Sequence, residues 1–271
     1  MKKLATIFLS ALVLAGCATP APKASTSNSA NEPSAKVGNY SDEMKIEKKV
    51  DLSLEDGADS VERDGDHKGS PYFTQLDFYN MKSTDTLSIL PKFKTYQQTS
   101  EWSCGVVSAL MVLDYYGKLD NYTEKDLAEF RSNGLTPEAT TLAQEIEIFE
   151  KVGGFKLEST YDYKEDEDGL YEATSLPTIE KHIQNGEPVI VAWNDWGGHW
   201  QVIIGYDNMG TETTQDDVLI VADSYDTTDH NQDGYGIYPA ERFYYNWTMY
   251  DFFEKNGIEE RDNLFLVAKP E

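Results

Sequence analysis

Cys104 opens an apolar run that ends Leu113-Asp-Tyr-Tyr-Gly117. Val106, Val107, Leu110, Met111 and Leu113 recur at helical spacing and Gly117 is a stop signal, so the sequence predicts a largely buried helix over 104–117. The cysteine then sits in the first helical turn. That end of a helix carries partial positive charge and free backbone N–H groups, which favour the thiolate, the nucleophilic form of cysteine. A buried core cysteine is the alternative, since free cysteine is among the most buried residue types. The helix alone leaves both readings open.

A cysteine nucleophile needs a base to take its proton and a third group to orient that base. The chain has four histidines. His67 and His230 lie in acidic loops, and His182 sits on a helix face beside Lys181. His199 alone begins an apolar strand, directly after Trp196-Gly-Gly, where a strand would hold the ring rigid at the mouth of a cleft. The orienting acceptor belongs on a neighbouring strand. Asp223 closes the next apolar run, Val218-Leu-Ile-Val-Ala, where a carboxylate is costly to bury unless paired; Asp226 is the nearby rival. Acyl transfer also needs donors for the tetrahedral oxyanion. The Cys104 backbone N–H supplies one, and Gln98, six residues upstream, is placed to supply a side-chain amide, with Gln97 as its competitor.

The arrangement Gln98-x5-Cys104-Gly, a helix ending Leu-Asp-Tyr-Tyr-Gly, then Gly-Gly-His199-Trp-Gln-Val-Ile-Ile-Gly-Tyr-Asp and Val-Ala-Asp223 resembles the papain-like peptidases of the bacteriocin-leader-processing family, especially their stand-alone relatives. The likeness spans about residues 85–270. It implies an α+β papain-like fold, with Cys104 as nucleophile, His199 as base, Asp223 as orienting group and Gln98 as oxyanion donor. Two departures stand out. Ser103 precedes the cysteine where the family often has aspartate, and Asp207–Asp217 lengthens the connection between the His and Asp strands. The likeness covers a peptidase part without a transporter part, so the family's leader-peptide substrate is not expected to carry over.

The elements that must position these groups follow in order. Strand character is expected near Leu87–Leu90, and Thr123 with Asp126 has the form of a capping box before a short helix. A helix is predicted over 136–152, a strand over 155–160, an acidic loop over 163–168 and a helix over 176–186. Strands follow over 188–193, 199–206 and 218–223. Residues 240–257 hold the aromatic run Phe243–Trp247 and then a helix, and 264–268 close the sheet. Helices first and an antiparallel sheet second is an α+β arrangement.

The termini and composition bound the setting. Met1–Gly16 has two lysines, an apolar core and a small-residue exit, the pattern of a secretory signal too short to count as a spanning helix. Its end, Leu14-Ala-Gly-Cys17, resembles the lipobox of bacterial lipoproteins, which implies a diacylated Cys17 as the mature N-terminus and a lipid bilayer as partner at the extracytoplasmic face of the cell membrane. The chain has two cysteines, so an acylated Cys17 leaves Cys104 as the one free thiol; a disulfide between them is the alternative from counting alone. Residues 17–45 read as a lipidated flexible tether, 46–84 as an acidic N-terminal extension and 85–271 as the peptidase domain. The net charge is −25, and 21 basic against 48 acidic residues remain after cleavage before Cys17, giving −27. Such a surface excludes nucleic acid and docking to anionic lipid headgroups.

Trp102, Trp196 and Trp200 are candidate walls of a peptide cleft, while Trp193 reads as core filler. Asp229, Asn231 and Asp233 alternate before Gly234 like the start of a calcium loop, but the twelfth position is Ala240 and the closing Glu241 is one place late. Calcium is therefore weighed against a solvated acidic turn; the chemistry itself needs no cofactor. The expected function is hydrolysis of a peptide or protein substrate through an acyl-enzyme on Cys104. A transpeptidase or amidase acting on cell-wall peptides and a peptide-binding lipoprotein without turnover are the alternatives.

Overall fold

The computed structural model describes residues 76–163, 166–195, 197–226, 233–248 and 263–271. The chain enters through Phe78, buried against Tyr235, and a short strand β1 (Leu87–Ile89). It then descends into helix α1 (Cys104–Tyr115). Every residue from Cys104 to Leu113 is buried, as an all-round apolar helix requires. Helix α2 (Glu124–Glu129) starts at the expected capping box, with Thr123 and Asp126 exchanging side-chain and backbone bonds.

Helix α3 is shorter than the 136–152 expected and runs Leu142–Val152. A second capping box, Thr141 with Gln144, fixes its start. The residues before it turn their carbonyls elsewhere: those of Gly134, Thr136 and Glu138 accept from the Arg131 guanidinium. The guanidinium thereby holds residues 134–138 in a turn, and the chain becomes helical only after them.

Strand β2 (Phe155–Ser159) follows. Part of the stretch read as an acidic loop is helical, because Asp166 caps helix α4 (Glu167–Ala173) by accepting the Gly169 N–H. Helix α5 (Leu176–Gln184) matches expectation. The sheet-forming half then runs β3 (Val189–Trp193), β4 (His199–Asp207), β5 (Val218–Ala222), β6 (Tyr235–Pro239), helix α6 (Ala240–Thr248) and β7 (Leu264–Pro270). Strand β6 was not anticipated, and the aromatic run over 243–247 is itself α6, with Phe243 and Trp247 buried one turn apart.

All pairings are antiparallel, in the order β2-β7-β3-β4-β5-β6, with β1 beside the far half of β4. Helix α1 packs against β4, α3 against β7, and α5 against β4 and β1. This is the α+β architecture expected. Gly205 lets three strands meet at the register shift in β4, since an added Cβ would lie 3.1 Å from Ile220 and 3.3 Å from Ile89.

Candidate active site

Two chain segments meet where α1 begins. The first is the loop before it. Gln98 is tied by backbone to Ser224, its N–H donating to the Ser224 carbonyl over 2.9 Å, and its side-chain oxygen accepts the Ser224 hydroxyl at 2.7 Å. The Gln98 amide donates to the Ser100 carbonyl at 2.7 Å, and the Ser103 hydroxyl donates to that same carbonyl at 2.9 Å. Ser103, where an aspartate was the family expectation, thus closes the turn that delivers Cys104. Thr99 donates through N–H and hydroxyl to the buried Glu124 carboxylate at the head of α2. The turn is therefore held from both sides, by β5's end and by α2.

The second segment is the His–Asp pair. His199 and Asp223 are 5% and 4% exposed, so neither charge is left to water. Nε2 of His199 meets Oδ1 of Asp223 at 2.7 Å. Cys104, a buried free thiol, acts on the same ring, and with Nε2 held by Asp223 the ring nitrogen left for the sulfur is Nδ1. Burial works against a charged ring, but the Asp223 charge, the bond to it and the Cys104 sulfur outweigh it and hold His199 well above the ordinary imidazole range. Burial likewise opposes ionisation of Asp223, yet the His199 charge and hydrogen bonds from His199, the Tyr225 N–H and Gln201 keep its carboxyl below the usual value. Asp226, the rival, accepts the Gly234 N–H at 3.0 Å and serves the β5–β6 connection.

Gln201 escaped the sequence reading. Its amide donates to Oδ2 of Asp223 at 2.8 Å, and its oxygen accepts the Trp193 indole N–H at 2.7 Å. Alternation along β4 was the available signal: residues 199 and 201 share a face, and Trp200 lies on the other. Asp223 therefore accepts at both oxygens, and its position is fixed through Gln201 by the Trp193 ring, which packs edge-on to Tyr238 and Phe243.

The tryptophans divide. Trp200 is fully buried and donates to the Thr140 carbonyl at 2.7 Å, so it is core and not a cleft wall. Trp193 is core as expected. Trp102 is half-buried, with the Arg131 guanidinium 4.4 Å from its ring centre. Trp196 lies outside the described residues, as do Cys17, Asp229 and Asn231. Asp233 accepts the Tyr235 N–H at 3.1 Å, and its carbonyl accepts the Thr95 hydroxyl at 2.7 Å. Among the described residues no group of three or more His, Cys, Asp or Glu side chains is arranged to hold a metal ion. Gln97 is buried with no partner for its side-chain oxygen, whereas Gln98 is built into the turn.

A nucleophilic atom, an imidazole that can take its proton and a buried carboxylate behind the ring suit acyl transfer through a thioester. The model of the Peptidase_C39 like family matches residues 90–253, which include all of these groups. No curated protein matches the chain.

Proposed function

The chain belongs to the Peptidase_C39 like family, and from that premise we propose that it is a membrane-anchored extracytoplasmic cysteine peptidase working through Cys104, His199 and Asp223. The observation that carries this reading is the buried His199–Asp223 pair, 2.7 Å apart, with the buried Cys104 thiol acting on the same ring. His199 takes the Cys104 proton and becomes imidazolium, a form its surroundings favour. The sulfur attacks a peptide carbonyl. The Cys104 backbone N–H, at the uncapped start of α1, and the second N–H of the Gln98 amide stabilise the oxyanion. His199 then protonates the leaving amine, and water attacks the thioester with His199 as base.

The test is cleavage of a peptide library by the soluble form from residue 18 onward, beside Cys104→Ala. Hydrolysis is expected in the first and at least about 10⁴-fold less in the second. Binding of peptides by both proteins with cleavage by neither rejects the peptidase and favours a binding module. Products joined to an added amine instead of hydrolysed point to transpeptidation.

Anchoring rests on Leu14-Ala-Gly-Cys17. The full-length protein, expressed in a bacterium, is expected to incorporate labelled palmitate and fractionate with membranes, and Cys17→Ala to do neither. An unlabelled wild-type protein rejects the anchor.

A further inference from the structure

Glu145, on α3, is a fully buried acid near the site and plays no part in the chemistry above. It has no exposure, and neither of its carboxyl oxygens has a hydrogen-bond partner. The carboxyl lies directly against the first turn of α1: a Cβ built on Gly105 would come within 2.1 Å of Oε1 and 2.8 Å of Thr140. Only a glycine after the nucleophile leaves room for it. Arg131 is a cation that acts on it, but its donors are spent on the carbonyls of Ala128, Gly134, Thr136 and Glu138 and on the Thr140 hydroxyl.

The charged groups acting on Glu145 are therefore Cys104 on α1 and Arg131 at the end of α2, with His199 beyond the sulfur. Burial and the sulfur's charge both push the carboxyl well above its ordinary range, and Arg131 only partly offsets them. Two anions at one helix start disfavour each other, and a carboxylate with no hydrogen bond in a dry site is costlier still. Resting on the peptidase reading, we propose that Glu145 is a positioning residue for the nucleophile: it keeps its own proton while Cys104 is ionised, so that the ready site carries one negative charge at the start of α1 and not two.

The proposal makes the Glu145 proton sensitive to the sulfur. Infrared spectroscopy of the whole soluble protein, titrated in pH, reads the carbonyl stretch of a protonated acid; the band is assigned by its absence in Glu145→Gln or, should that variant not fold, Glu145→Ala. The band is expected at neutral pH in the wild type. In Cys104→Ser, whose hydroxyl stays neutral, it is expected to vanish about one pH unit or more lower. A band missing at neutral pH, or titrating identically in both proteins, overturns the proposal. Peptide cleavage by the same preparation is scored separately: an intact shift without Cys104-dependent cleavage removes the peptidase reading and leaves the coupling standing.

Discussion

Replacing His199 by alanine should slow alkylation of Cys104 by iodoacetamide at neutral pH at least about tenfold, and bring peptide hydrolysis down to the level of Cys104→Ala. An ordinary cysteine is only a few per cent thiolate at neutral pH. A sulfur that has passed its proton to a neighbouring ring is in the reactive form far more of the time. His199 is the ring that Cys104 acts on, and its surroundings favour the imidazolium. Without it the site loses its imidazole base. Groups that act as one unit are also strongly non-additive, so the double variant should hydrolyse peptide no more slowly than either single one. Folding is the necessary control. Asp223 would keep its bonds from Gln201 and from the Tyr225 N–H, so the carboxylate is not stranded. A melting temperature close to wild type with labelling unchanged would mean that the ring does not activate the sulfur, and the site would then be a binding surface.

The parts of this site that were legible in the sequence are those whose position is fixed by local pattern. Cys104 falls at a helix start because the apolar spacing behind it permits little else, and His199 stands out because the other three histidines lie in acidic or helical surroundings. Asp223 was found by the cost of burying an unpaired carboxylate, but its preference over Asp226 is decided by the turn, in which Gly234 claims the rival. Gln201 is signalled only by strand alternation, which puts it on the face of His199. Glu145 was not readable: on its own helix it looks like one acid among several, and it is buried only because α3 crosses the start of α1 at Gly105. The late start of α3 has the same origin. Arg131 gathers carbonyls from residues 134–138, a tertiary demand that overrides a local helical pattern. Trp200 was misassigned for a related reason. Its neighbour faces the site, and period-two geometry sends it to the opposite side, into the core.

A graded series at Asp223 separates holding the ring from charging it. Asp223→Asn retains an oxygen that can accept the His199 Nε2–H but removes the negative charge; Asp223→Ala removes both. Turnover is expected to fall in both, by up to about 10⁴-fold, and less in the first than in the second. The pH dependence gives the sharper reading. His199 is held above its ordinary value in the fold, so stability drawn from its pairing is fully present below the unfolded imidazole value, about 6.5, and is lost as pH rises through the folded one. Asp223 is held below its ordinary value, so its contribution is present above about 3.9 and is lost as pH falls through its folded value. Both act together between those limits. Asp223→Asn removes what holds His199 up while leaving burial, which pushes it down, so the alkaline limb of kcat/KM should move to lower pH. Asp223→Ala strands a buried ring and should also cost about 3–5 kcal/mol of stability at pH 5, measured by denaturant unfolding. An alkaline limb unmoved in Asp223→Asn would show that the carboxylate orients His199 without setting its charge, and the ionic account of the site would have to give way to a neutral one.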